Sequence, residues 1–131
     1  MIVDASALLA FVLSEPDARR FGEAMLTAPV RRMPAPTWVE ASLRIDRAAD
    51  EVARRCFDEI VAELGIEIVP FAAEHAIEAR RARRLFGKPH HPAGLNFGDC
   101  LVYGVARHER MPLLFKGGDF ARTDIEPALK D

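Results

Sequence analysis

The chain opens on a short apolar run, Met1-Ile2-Val3, that ends in a lone aspartate and passes at once into Ala5-Ser6-Ala7-Leu8-Leu9-Ala10-Phe11-Val12-Leu13. No turn residues separate the two stretches. The first reads as a short strand and the second as a helix dense enough in apolar residues to be buried. A buried strand feeding a buried helix requires a layered α/β fold, with the strand in the middle of the sheet. Asp4 then sits at the carboxyl end of a central strand. In open α/β sheets, ligands bind in the crevice outside those ends. Asp4 and Ser6 are also favoured as helix caps, so capping alone accounts for them until the rest of the chain is read.

Strand and helix signals alternate from there on. Ser14-Glu15-Pro16-Asp17 reads as a helix start, with Ser14 capping and Pro16 in the first turn. That helix runs to about Thr27, with Phe21, Ala24, Met25 and Ala28 at helical spacing. Arg31-Arg32-Met33 is a strand candidate closed by Pro34 and Pro36. Thr37-Trp38-Val39-Glu40 opens a helix reaching about Ala49. Asp50-Glu51 restarts one that runs to Leu64, with Val52, Cys56, Ile60 and Leu64 on one face and Gly65 closing it. Ile66-Glu67-Ile68-Val69 is a strand by its β-branching. A basic helix spans residues 72–86 and a loop spans 88–94. Leu101 to Ala106 is apolar on all sides, as in a central helix. Pro112-Leu113-Leu114-Phe115 is a strand, Lys116-Gly117-Gly118-Asp119 its exit turn, and Thr123-Asp124-Ile125-Glu126 a short last element. This order predicts a single domain over residues 1–131, a three-layer α/β/α sandwich around a central parallel sheet.

The net charge of −2 gives no global field to draw in a polyanion, so any nucleic-acid site must be a local patch. The two cysteines, Cys56 and Cys100, lie far apart and read as buried thiols, not as a disulfide framework or a zinc site. No apolar run approaches the ~18 residues of a membrane span, and no basic leader opens the chain. A cytoplasmic protein is expected.

Four carboxylates stand out by position. Asp4 follows the first strand, Glu40 lies one turn into the helix after the second, Asp99 lies in the first turn of the apolar helix, and Asp119 follows the last strand. In a parallel sheet all four gather at one edge. Crowded carboxylates repel, and burial makes each charge costlier. A divalent cation relieves both costs. Mg²⁺ takes oxygen ligands and keeps several waters, and two such ions can clamp a phosphodiester. Each acid also has an ordinary explanation. Thr37-x-x-Glu40 matches a capping box, Asp99 suits a helix N-terminus, and Asp119 follows two glycines in a turn.

Ile2-Val3-Asp4-Ala5-Ser6-Ala7-Leu8, Glu40 after a proline-bounded strand, Gly94-Leu95-Asn96-Phe97-Gly98-Asp99-Cys100 and Pro112-Leu113-Leu114-Phe115-Lys116-Gly117-Gly118-Asp119-Phe120 together resemble the PIN-domain ribonucleases, specifically VapC-type toxins of toxin–antitoxin pairs. The resemblance covers essentially the whole chain. It implies a PIN fold, cleavage of RNA dependent on Mg²⁺ (or Mn²⁺ in its place), inhibition by a cognate antitoxin, and a homodimer. It assigns metal binding and catalysis to Asp4, Glu40 and Asp99, with Ser6 and Asn96 in support. Such proteins often carry Asp-x-Asp-Phe after the last motif strand. Here Gly117 takes the first of those positions, so the fourth acid is Asp119 or is absent.

Arg80, Arg81, Arg83 and Arg84 crowd one helix, followed by Lys88, His90 and His91. Guanidinium groups pair well with phosphate, so Arg80, Arg81, Arg84 and Lys88 are expected to line an RNA path. A solvated face explains the same residues without RNA. Other aspartate-after-strand folds fit less well. A haloacid dehalogenase-type phosphatase needs a second acid where Ser6 stands, and a receiver domain needs an aspartate where Val69-Pro70 ends the strand. The rival of another class is a PIN domain that has lost catalysis and serves only as an RNA- or protein-binding module.

Overall fold

The computed structural model describes residues 1–48 and 51–130. Ala49 and Asp50, where one helix is expected to end and the next to begin, lie outside the described residues. In chain order the elements are β1 (Ile2–Val3), α1 (Ala5–Val12), α2 (Ala18–Thr27), β2 (Arg32–Pro34), α3 (Ala35–Ala48), α4 (Glu51–Glu63), β3 (Glu67–Val69), α5 (Ala73–Phe86), α6 (Phe97–Glu109), β4 (Leu113–Leu114) and a 3₁₀ turn at Phe120–Arg122. The strands form one parallel sheet in the order β3-β2-β1-β4. β1 is interior, as its apolar flanks require. Ile2 pairs with both Arg32 and Leu113, and Val3 pairs with Leu114.

The strands are short, yet side-chain alternation makes each residue count. Val3 and Leu114 face a core built with Leu8, Met25, Met33, Ile45 and Phe57 from α1 to α4 and β2. Ile2 and Leu113 face the opposite core, with Ala82, Leu95, Val102 and Tyr103 from α5, α6 and the loop between them. All four strand residues are fully buried. Each contributes about 1.5–3 kcal/mol by burial, so packing on both faces, more than ladder length, holds the sheet. Leu114→Ala alone should cost about 2–5 kcal/mol.

The chain runs β1, β2, β3 outward in one direction, then returns through α5 and α6 to place β4 on the other side of β1. That reversal puts a crevice between the carboxyl ends of β1 and β4. Asp4 and the Lys116–Asp119 turn both lie there. Among the described residues no helix is long and apolar enough to cross a membrane.

Several expectations are corrected. Ser14 does not cap α2. It has φ +53 and its N–H donates to Phe11 O, so it closes α1, and α2 begins only at Ala18. α3 begins at Ala35, directly after β2, which puts Thr37 inside the helix. The buried face of α4 runs through Phe57, with Ile60 and Leu64, while Val52 and Cys56 are exposed. Both cysteines are free, and only Cys100 is the buried thiol expected. The last element is the turn at Phe120–Arg122, three residues earlier than anticipated. Gly65 closes α4 as expected, with φ +62.

Candidate active site

Asp4 continues β1 for one more step. Its N–H donates to Leu114 O at 2.9 Å, and its extended backbone (φ −80, ψ 155) caps α1. Oδ2 accepts from the Ser6 N–H at 3.1 Å and from the Ser6 hydroxyl. Capping and site placement are therefore properties of the same side chain. Asp4 is 5% exposed. Burial drives its carboxyl pKa up, the nearby charge of Asp119 adds to this, and the Ser6 donors pull the other way. The Ser6 oxygen in turn accepts from the Lys116 N–H at 2.9 Å. Lys116 itself is gripped by Glu15 and by Asp17 (3.1 Å). A chain of contacts thus ties the turn after β4 to the buried aspartate.

Glu40 projects from α3 toward the start of α6. A Cβ on Gly98 would lie 2.2 Å from Glu40 Oε2, so the carboxylate occupies the space that any side chain at 98 would fill. The capping-box explanation of Glu40 fails, because Thr37 lies within α3, buried, with its hydroxyl unpartnered. Burial raises the Glu40 pKa first, then the charges of Asp4 and Asp99, with Arg44 opposing.

Asp99 is the third residue of α6. Its N–H donates to Asn96 Oδ1 (2.8 Å), and the Asn96 N–H donates to Asp99 Oδ2 (3.1 Å). This reciprocal cap fixes the first turn of α6. One carboxylate oxygen is committed to the cap, and the group as a whole is only half-buried. Its pKa is pushed up to about 6, chiefly by burial, with Asp4 and Asp119 adding and the Asn96 N–H and Lys88 opposing. Asp119 is exposed and precedes the 3₁₀ turn without a side-chain capping bond. Its charge reaches both Asp4 and Asp99.

Charge therefore links acids from four separate segments, with Asp4 and Asp99 acting on Glu40 and Asp119 acting on Asp4 and Asp99. The donor set is all carboxylate oxygen, which suits a hard cation such as Mg²⁺, and the Glu40–Gly98 cradle leaves a carboxylate at its rim. Among the described residues no three of these carboxylates come within 4.8 Å of one another. That spacing suits an ion that keeps much of its water and takes one or two direct protein ligands. A different trio, Glu74, His75 and His108, does close to within 4.8 Å. It is poorly suited to metal, because both His75 nitrogens are engaged. Nδ1 accepts from the Ala72 N–H (2.9 Å), and Nε2 contacts Glu109 Oε1 (2.8 Å), fastening α5 to α6.

The basic helix divides into two faces. Ala76, Ala79, Arg80 and Arg83 recur at helical spacing and line a hollow of about 790 Å³ together with Lys88 and Phe97. Arg81 turns toward Glu78 (3.7 Å). Arg84 lies outside the hollow, His90 Nε2 contacts Arg84 O of α5, and His91 Nδ1 accepts from the Ala93 N–H. Of the four expected RNA contacts, then, Arg80 and Lys88 line this hollow, with the Lys88 charge reaching Asp99, and Arg81 and Arg84 do not line it. Arg83 belongs with the first pair and is steadied by donating to Leu95 O at 2.9 Å. Lys116 and Phe97 were also missed. Their only sequence signals are positions immediately after a strand and two residues before Asp99.

The PIN domain family model matches residues 1–126. The chain is 42% identical over 130 residues to ribonuclease VapC28 of Mycobacterium tuberculosis, spanning 98% of each chain. Its fold is that of Mycobacterium tuberculosis VapC20, a sarcin–ricin loop cleaving toxin (TM-score 0.75, 16% identity, 95% of each chain). It is also that of VapBC2 from Rickettsia felis, solved on a DNA fragment from its promoter (TM-score 0.76, 13% identity, 96% of this chain and 94% of that one). With the family model spanning nearly its whole length and a relative this similar from end to end, the chain belongs to the PIN domain family, among the VapC ribonucleases.

Proposed function

We propose that the chain is the toxin of a toxin–antitoxin pair, an endoribonuclease that depends on Mg²⁺ and works as a homodimer until a cognate antitoxin silences it. The observation that carries the reading is a set of carboxylates at the carboxyl edge of the sheet in which the charges of Asp4 and Asp99 bear on Glu40, and that of Asp119 bears on Asp4 and Asp99. Asp4 and Asp99 would hold the cation, with Glu40 at the rim. When bound, Mg²⁺ supplies charge neutralisation at the phosphate and lowers the pKa of a water. Glu40, whose proton affinity is raised by burial and by its acidic neighbours, would be the group that takes a proton from the attacking water. Ser6 keeps the Asp4 carboxylate oriented, and Asn96 does the same for Asp99. Asp119, exposed in its turn, acts through water.

An acidic crevice that attracts a metal also attracts a guanidinium. The antitoxin is therefore expected to place an Arg or Lys near Asp4 and Asp99. No observation favours the non-catalytic reading, since Asp4, Glu40 and Asp99 are all present. The test is cleavage of single-stranded RNA by the purified protein with Mg²⁺ and with EDTA. Asp4→Asn and Asp99→Asn should abolish cleavage and growth arrest while the proteins stay folded. Activity that survives EDTA sinks the reading.

A further inference from the structure

Phe97 is the most exposed large hydrophobic side chain among the described residues, at 77%. It is also held in a fixed place. It is the first residue of α6, within the turn locked by the Asn96–Asp99 reciprocal cap. An aromatic ring in water on a fixed backbone, two residues from a candidate site acid, is a surface for something flat.

Its surroundings narrow the choice. The hollow it borders, between α5 and the start of α6, is largely apolar, with Phe71, Ala79 and Leu101 in its wall, and no carboxylate lines it. The polar groups present are Asn96 and three cations, Arg80, Arg83 and Lys88. In a chain of net charge −2 this concentrates positive charge around one aromatic ring. Aromatic platforms flanked by cations bind unpaired bases and their phosphates. At about 790 Å³ the hollow lies within the ~300–1,000 Å³ range of ligand sites.

We propose that this hollow is a nucleobase subsite for single-stranded RNA, in which one unpaired base stacks on Phe97 while Arg80 and Lys88 hold the flanking phosphates. The inference rests on the ribonuclease reading and adds to it a requirement for an unstacked base beside the cut. A duplex offers no free base face, so the subsite selects single-stranded or looped RNA. Arg83, held by Leu95 O, forms a fixed part of the wall.

The test is fluorescence anisotropy with a labelled single-stranded oligoribonucleotide and with the duplex of the same sequence, in the Asp99→Asn background with Mg²⁺. Phe97 is exposed, so its substitution leaves the fold intact, which circular dichroism would verify. Phe97→Ala and Phe97→Leu should weaken single-strand binding about 5- to 150-fold, Phe97→Trp should retain it, and duplex binding should not respond. Arg80→Ala should lower the salt dependence by about one phosphate contact, and the Phe97 variants should leave it unchanged. Undiminished binding by Phe97→Ala, or equal binding by the Leu and Trp variants, overturns the stacking subsite. So does a Phe97→Ala effect confined to self-association or antitoxin affinity, which would make this face a protein interface. If the parent protein neither binds nor cleaves RNA, the ribonuclease reading falls along with the subsite. If the wild type cleaves and the Phe97 series is flat, only the subsite falls.

Discussion

Gly98→Ala separates the site from the fold. A Cβ at 98 would stand 2.2 Å from Glu40 Oε2 and 3.2 Å from Glu40 Cδ. Ordinary contact begins near 3.4 Å, so the oxygen has to retreat about 1.2 Å. The obstacle is the end of a flexible side chain, so α6 keeps its place and only the carboxylate moves. A displacement of about 1 Å in a catalytic group can cost ~100-fold in rate. Meanwhile alanine is the better helix former, by about 0.5–1 kcal/mol in a helix interior and less in a first turn. The melting temperature should therefore hold or rise by about 1–3 °C. The assay is RNA cleavage at saturating Mg²⁺ alongside a thermal melt. The expected pair of results is a loss of about 100-fold with undiminished stability. Combined with Glu40→Ala, the substitution should add little, because the two disturb one group. Wild-type cleavage by Gly98→Ala would refute the claim that Glu40 acts from this cradle, and a melt several degrees lower would show that the backbone, not the carboxylate, gave way.

Asp119→Asn should reduce activity less than Asp4→Asn or Asp99→Asn, with partial recovery in excess Mg²⁺ or Mn²⁺. An Asp119 variant as inactive as Asp99→Asn at every metal concentration would make Asp119 a direct ligand. With the Asp99 pKa at about 6, its ionised fraction climbs from about a tenth near pH 5 to about nine-tenths near pH 7, and metal binding should follow. The stability sign is opposite. A folded pKa raised above the usual 3.8 stabilises the metal-free protein fully below about pH 4, and that contribution is lost as pH rises through about 6. Metal-free melts should therefore fall mainly between about pH 4 and 6, Mg²⁺ should restore them at pH 7, and Asp99→Asn should lessen the trend, leaving the share of Asp4 and Glu40, whose carboxyl pKa values burial also raises. Lys116→Met releases Glu15 and Asp17 and loosens the turn that steadies Ser6. The Mg²⁺ concentration for half-maximal activity, and Mn²⁺ affinity by direct titration, should weaken about tenfold, with Lys116→Arg largely restoring both.

The layout of the site was legible because parallel α/β topology maps position after a strand onto place in space. Asp4, Glu40 and Asp119 follow β1, β2 and β4, so order in the chain was enough. Asp99 was marked by the buried helix it opens. What stayed hidden depends on phase. On α4, stepping from Val52 and Cys56 to Phe57 is a rotation of about 100°, and only the neighbouring helices decide which side is inside. The same holds for α5, where Arg80 and Arg83 share a stripe with Ala76 and Ala79 but Arg81 does not. Ser14 misled because a serine before Glu-Pro-Asp looks like a cap, whereas the chain needed a left-handed residue there to end α1. Lys116 carried only its position after a strand, because the two acids that hold it lie about a hundred residues away in sequence.

The pairing of β1 with β4 also fixes when this molecule can become active. Leu113 and Leu114 are made 111 residues after their partners Ile2 and Val3. Until those partners arrive, β1 has one open edge, the Asp4 N–H lacks the Leu114 carbonyl, and Ser6 lacks the Lys116 N–H that steadies it. Chains cut before Leu113 should neither cleave RNA nor arrest growth when expressed. The order of synthesis thus acts as a timer. A ribosome making this protein must carry translation past Leu114 before the acids of the candidate site on the growing chain can be brought together.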